Sequence, residues 1–354
     1  MDLLEKQWSR FAALALICLF MAAIPAAAWD RSAATTFAVL PAGSSGPEGL
    51  TVGPDGNVYV ATFGFKSAAP AAGLGQLFVF DGHSGQLIRQ VGIQGSSPHL
   101  LGLAFHPTSG DLLVIDFGAG KVWNVNPTSG AATEFMAAPS VTQSGPGLNA
   151  LTFDSQGNVY VSDSFQGIIW KTGPNGGAPT QWVTNALLTT TGVPPFGANG
   201  LQFNKAGTTL FVANTGNDTI VQIPVTGGTP GTPAVFVNSI NGADGLIIDS
   251  HDNLWVAANQ EDEIVVVDPT GKVIAKLGDF GGIDIKGAPR GLLFPASLDF
   301  SKDGQFLYVT NLALNLQLFG FQAIDTPWCA QVQLYTISRL PARIPPLPVG
   351  AVSH

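Results

Sequence analysis

Charge is scarce in this chain: only 11% of its 354 residues are Asp, Glu, Lys or Arg, and the Lys and Arg are scattered with no basic run. Phosphate-backbone binding draws on clustered cations, so nucleic acid is not an expected partner, and the formal charge of −9 points the same way. Cysteine is nearly absent. Cys18 lies in an apolar leader, so a processed chain would keep only Cys329. That excludes an internal disulfide and argues against a redox or zinc-thiolate site, leaving one buried thiol as the expectation. Long hydrophobic runs are missing too. The longest, Phe11 to Ile24, falls short of the ~20 residues that span a bilayer.

That run has a different logic. Lys6 and Arg10 precede it and Ala26, Ala27 and Ala28 follow, the layout of an export signal cleaved near Trp29. Residues 1–28 are therefore expected to be a signal peptide. The product would be exported, periplasmic or extracellular, with no stable membrane anchor. What the chain does have is turn formers and apolar material: 43 Gly, 25 Pro and 45% hydrophobic residues describe a β-rich protein with a large core.

The mature part repeats. Six segments align as EGLTVGPDGNVYV from Glu48, LGLAFHPTSGDLLV from Leu101, NALTFDSQGNVYV from Asn149, NGLQFNKAGTTLFV from Asn199, DGLIIDSHDNLWV from Asp244 and ASLDFSKDGQFLYV from Ala296. Each is a short apolar run, a turn and a second run rich in Val, Tyr, Phe and Leu, which is an antiparallel hairpin. Third strands follow at 76–80, 121–125, 167–171, 219–223 and 263–267. A period near 50 residues holds four short strands, one propeller blade. The fold class is thus all-β, a six-bladed β-propeller of four-stranded antiparallel blades. The sixth copy has no outer strand of its own, and TTFAVL (35–40) precedes the first, so the N-terminal strand is expected to close the last blade. The propeller is placed at 29–337, with an insertion at 312–328 and a Pro-rich tail at 338–354.

The first strand of every blade lies nearest the axis, so residues at its start converge on the channel. In phase stand Glu48, Leu101, Asn149, Asn199, Asp244 and Ala296. Two carboxylates and two carboxamides meet there, a hard-oxygen set that suits Ca2+, or alternatively another hard divalent cation such as Mg2+. Without a cation Glu48 and Asp244 would face each other's charge in a partly dry channel.

The quartet in GPEGLTV, GLNALTFD, GANGLQF and GADGLIID resembles that of the senescence marker protein, gluconolactonase and luciferin-regenerating enzyme family, over roughly residues 35–337. The resemblance implies a calcium-dependent hydrolase acting on a lactone or ester small molecule, with Glu48, Asn149, Asn199 and Asp244 as metal ligands. Several relatives follow the blade-3 Asn with a catalytic Asp, whereas Ala150 stands here. Proton transfer would then fall to another group, and His99, in GSSPHLLGLAF, is the candidate. Arg290 and Ser297, in KGAPRGLLFPASLDF, are candidates for substrate binding. Two alternatives stay open: a metal-stabilised propeller that binds a ligand or protein without catalysis, favoured by Ala150, and a strictosidine-synthase-like or lyase activity.

Overall fold

The computed structural model describes residues 30–345. The expected signal peptide, with Cys18, and the tail from residue 346 lie outside the described residues. Within 31–345 the chain forms six antiparallel blades. Blade 1 is built from Pro47–Val52, Val58–Thr62, Gln76–Phe80 and Leu87–Gly92, here called strands A to D from the axis outward. Strand A begins at Leu100 in blade 2, Leu148 in blade 3, Ala198 in blade 4, Ala243 in blade 5 and Pro295 in blade 6. Strands B such as Val58–Thr62 and Val159–Asp163 are buried at every residue because neighbouring blades cover both faces, while the outer strand Leu87–Gly92 is largely exposed. This explains the unbroken Val, Tyr and Leu runs of the second repeat half.

The ring closes as expected. Blade 6 takes Pro295–Phe300, Phe306–Asn311 and Thr336–Pro341 from the C-terminal end and Thr35–Val39 from the N-terminal end. Thr36 opposes Ser338 and Ala38 opposes Ile337. The propeller thus runs past position 337, and Ala342 still donates to the Gln305 carbonyl at 2.9 Å. Bonds from blade 6 to blade 1 reinforce the seam: Asp299 Oδ2 accepts from the Val52 amide (2.8 Å) and Thr310 Oγ1 donates to the Glu48 carbonyl (2.8 Å). Three of the A–B turns share one device. Asp55, Asp154 and Asp249 each accept from a backbone amide in the turn and from the Tyr hydroxyl or Trp indole of strand B.

Two features shape the channel. The A–B pairing skips a residue in every blade, between Pro47 and Leu50, Leu100 and Leu103, Leu148 and Leu151, Ala198 and Leu201, Ala243 and Leu246, and Pro295 and Leu298. A bulge at that point re-aims side chains. The small residue inside it is a packing requirement: a Cβ on Gly49 would come within 2.2 Å of the Leu101 carbonyl oxygen, and one on Gly200 within 2.5 Å of the Asp244 carbonyl oxygen. Adjacent inner strands touch backbone to backbone there.

The connection from Leu312 to Leu334 carries a 3-10 turn at Leu316–Phe319 and a helical turn at Thr326–Cys329. It crosses to blade 1, where Asn315 Nδ2 donates to the Ser67 carbonyl at 2.7 Å and Phe319 meets Phe65 with ring centroids 4.8 Å apart. Cys329 is a free, fully buried thiol.

Candidate metal centre

Glu48, Asn149, Asn199 and Asp244 are each the second residue of strand A, inside the bulge, and the structure brings all four to the wall of one cavity. Its volume of about 20 Å³ admits one ion or one water-sized group. All four side chains are buried. Among the described residues Glu48 Oε2, Asn149 Oδ1 and Asp244 Oδ1 have no hydrogen-bond partner. A buried acceptor left unpaired costs about 1–3 kcal/mol, more when charged, and with Asn259 Oδ1 four such oxygens belong to residues lining one small cavity. The donor set fits a hard divalent ion.

A supporting layer orients these groups. Asn149 Nδ2 donates to Ser164 Oγ (3.4 Å), Asn199 Nδ2 to Thr215 Oγ1 (2.8 Å), and Asn259 Nδ2 to Asp244 Oδ2 (3.1 Å). The Ser164 hydroxyl spends its only proton on the Ala198 carbonyl at 2.7 Å. Its oxygen can therefore only accept, which turns the amide nitrogen of Asn149 toward it and the carboxamide oxygen toward the cavity. Sequence reasoning missed all three supporters. They stand 15, 16 and 15 residues after their partners, immediately past strand B or at its edge, and the common offset is the signal that would have found them. Ser164→Ala frees the Asn149 carboxamide to rotate and is expected to weaken affinity for a hard divalent ion about tenfold, read by isothermal titration, with little change in melting temperature.

Burial pushes the Asp244 carboxyl up to about 7, although hydrogen bonds from Asn259 and Asn199 pull the other way. Burial, and then the charge of Asp244, hold Glu48 well above the usual carboxylate range. Without a cation the pair therefore keeps a proton near neutral pH, the electrostatic counterpart of the orphaned oxygens.

The other candidates are placed differently. His99 is one layer removed: its Nδ1 lies 2.8 Å from the Phe63 carbonyl and its ring stacks on Phe65 at 4.7 Å, while Phe63 itself lines the cavity. A carbonyl can only accept, so Nδ1 carries the hydrogen and Nε2 the lone pair of the neutral ring. The loop that holds it is pinned by Asp116, which accepts from the Ser97 amide (2.8 Å) and the Ser97 hydroxyl. Arg290 does not reach the channel. It is exposed, within the hairpin of Phe280–Ile283 and Pro289–Gly291, in a surface groove shared with Arg31 and Asp279. Ser297 does face the channel, but on the far side of the bulge. With Ala150 and Asp299 it lines a second cavity of about 220 Å³, and its Oγ lies 3.5 Å from the Leu50 carbonyl. The register break accounts for this: residues one step past the quartet are turned away from it.

Apart from Thr215 and Asn259, the rest of the quartet cavity is apolar, with Phe63, Leu101, Phe196, Phe294, Leu312 and Leu314 among its lining. Phe117 meets Phe63 and Phe196 at centroid distances of 5.6 and 6.0 Å, and Phe165 stacks on Phe196 at 5.8 Å.

Residues 83–278, more than half of the chain, match the SMP-30/Gluconolactonase/LRE-like region, and residues 33–63 match the strictosidine synthase-like N-terminal family. No curated protein matches the sequence. Among solved structures the fold is similar to a gluconolactonase from Xanthomonas campestris, with TM-score 0.63 and 14% identity over 90% of this chain and 93% of that one. It is similar to a calcium-binding protein, regucalcin, from Agrobacterium tumefaciens, with TM-score 0.60 and 17% identity over 90% and 97%. Luciferin-regenerating enzyme aligns with TM-score 0.62 and 14% identity over 87% and 95%.

Proposed function

The chain belongs to the SMP-30/gluconolactonase/LRE-like family, and from that membership we propose that it is a calcium-dependent hydrolase of a small-molecule lactone or ester, with Glu48, Asn149, Asn199 and Asp244 holding the ion. The observation that carries the reading is the convergence of unpartnered buried oxygens on a cavity of one ion's size. The names of two structural relatives, a gluconolactonase and a calcium-binding protein, support it.

When bound, a divalent cation supplies Lewis acidity toward a carbonyl oxygen. The chain's own groups do the rest. Glu48 and Asp244 set the charge of the site, Ser164 and Thr215 fix the two carboxamides, and the rings of Phe63 and Phe196 keep bulk water from the cavity. His99 is the group assigned to proton transfer, accepting at Nε2, the nitrogen left free by the Phe63 carbonyl. Export is part of the same proposal: the mature chain would begin near Trp29, which N-terminal sequencing of the exported protein checks.

The test is turnover of a panel of lactones, aryl esters and phosphotriesters by purified protein, with chelator and with calcium restored. Hydrolysis lost on chelation and recovered with calcium is expected. Turnover indifferent to chelator sinks the reading. Ala150 favours a second reading, a metal-stabilised binding propeller, which calcium binding without any turnover would support.

A further inference from the structure

The channel mouth is two-sided. In blades 3, 4 and 5 the in-phase residue of strand A is Asn149, Asn199 or Asp244, and Ser164, Thr215 and Asn259 stand behind it. In blades 6, 1 and 2 the positions just past strand B are Leu312, Phe63 and Phe117, and the in-phase residues of blades 2 and 6 are Leu101 and Ala296. One half of the mouth thus presents oxygen, the other hydrocarbon, and Glu48 stands in the apolar half as the exception.

The polar groups are confined to one side. Apart from Glu48, the cavity's polar groups lie in its oxygen-bearing half: Thr215 Oγ1 accepts from Asn199, the Asn259 amide donates to Asp244, and the unpartnered oxygens there are those of Asn149, Asp244 and Asn259. The cavity, of about 20 Å³, has room for one ion-sized group, so the body of a substrate must lie outward, over the half-buried rings of Phe117, Phe165 and Phe196. Ring hydroxyls of a sugar lactone would lose water there and find no partner, a cost of about 1–3 kcal/mol each. Methylene or aryl groups gain by the same burial.

Resting on the hydrolase reading, we propose that the substrate is a lactone or ester bearing an apolar alkyl or aryl substituent, and that the wall of Phe117 and Phe196 selects it against polyhydroxylated sugar lactones. The test compares kcat/KM for γ-lactones of increasing alkyl length with that for glucono-δ-lactone. It also measures, in chelated protein, the thermal shift given by alkyl pyrrolidinones, the non-hydrolysable lactam counterparts. Each added methylene is expected to raise kcat/KM and lactam affinity about two- to fourfold, with the sugar lactone at least about 100-fold poorer. Phe117→Ser, at a half-buried ring outside the ion cavity, should flatten the chain-length dependence through KM while leaving calcium affinity unchanged. Glucono-δ-lactone turned over as well as the alkyl lactones, or an alkyl series without trend, overturns the proposal and leaves the hydrolase reading standing. If nothing is hydrolysed but lactam affinity still climbs with chain length and falls in Phe117→Ser, the hydrolase reading fails and the apolar selectivity survives. Lactam binding without that climb defeats it.

Discussion

Asp244→Asn is expected to lower kcat/KM on the best substrate of the panel by at least about a thousandfold, about 4 kcal/mol of transition-state stabilisation, and yet to make the metal-free protein more stable at pH 8 than the wild type. The two effects have one cause. Asp244 is 4% exposed, its Oδ1 has no partner, and burial raises its carboxyl to about 7. At pH 8 without calcium the fold must therefore carry a poorly solvated charge next to Glu48, and an asparagine of the same shape removes that cost. In the proposed site the same charge binds calcium, so the stabilisation that a ligand gives by mass action is expected to be largely lost in the variant. Thermal melts of both proteins, with chelator and with calcium, check the crossing: the variant above wild type in chelator, below it in calcium. A variant that melts lower under both conditions would mean that Asp244 is a structural group, anchoring Asn259 through the 3.1 Å bond, and not a ligand. Activity kept in the variant would remove the metal from the mechanism.

The contrast between the quartet and the other candidates shows what a repeat can and cannot reveal. Six hairpins in phase were legible because strands A and B have the same burial in every blade, so the same residue types recur. The N-terminal closure was legible because the last copy was one strand short. The quartet was legible because phase around an axis becomes proximity once the ring closes. The positions of Arg290 and Ser297 relative to the quartet were not legible for the opposite reason. Arg290 lies in a hairpin inserted between blades 5 and 6 that belongs to no repeat, so phase says nothing of its direction. Ser297 follows an in-phase residue, but the bulge in strand A turns successive side chains to different cavities, and a register break leaves no mark in sequence beyond the small residue that makes room for it. The same bulge bears on Ala150, which lines the lower cavity and not the one that holds the quartet. The aromatic wall was hidden by its origin: Phe63, Phe117 and Phe165 come just past strand B of blades 1, 2 and 3, and Phe196 just before strand A of blade 4, places where a β-rich sequence carries aromatics for many reasons.

The metal-free protein is expected to lose stability as pH rises from about 4 to about 7, opposite to the usual gain on leaving acid, and calcium is expected to cancel most of that loss. An aspartate in the unfolded chain titrates at its ordinary value of 3.8, whereas in the fold burial raises Asp244 to about 7. Between these values the native state holds a proton that the unfolded state has released. Stability rises with pH only where the unfolded state binds more protons, so here it falls. Below the lower value both states are protonated and above the upper one both are ionised, so the change is confined to the window between them, and its size is on the order of 4 kcal/mol for this group alone. Glu48, raised by burial and then by Asp244, contributes with the same sign. Asp262 and Asp299, lifted chiefly by burial to about 7 and about 6, add a trend of the same direction that calcium has no reason to touch. The quartet is therefore isolated by difference: denaturant unfolding at pH 5, 6, 7 and 8, with chelator and with saturating calcium, for wild type and Asp244→Asn. The stabilisation by calcium should grow through this range, because the ion competes with a proton that Asp244 releases only as the pH passes about 7. The variant should show little of that growth. A calcium increment equal at pH 5 and pH 8 would mean that the ion and the proton do not share the site, and the coupling of Glu48 and Asp244 to metal would have to be abandoned.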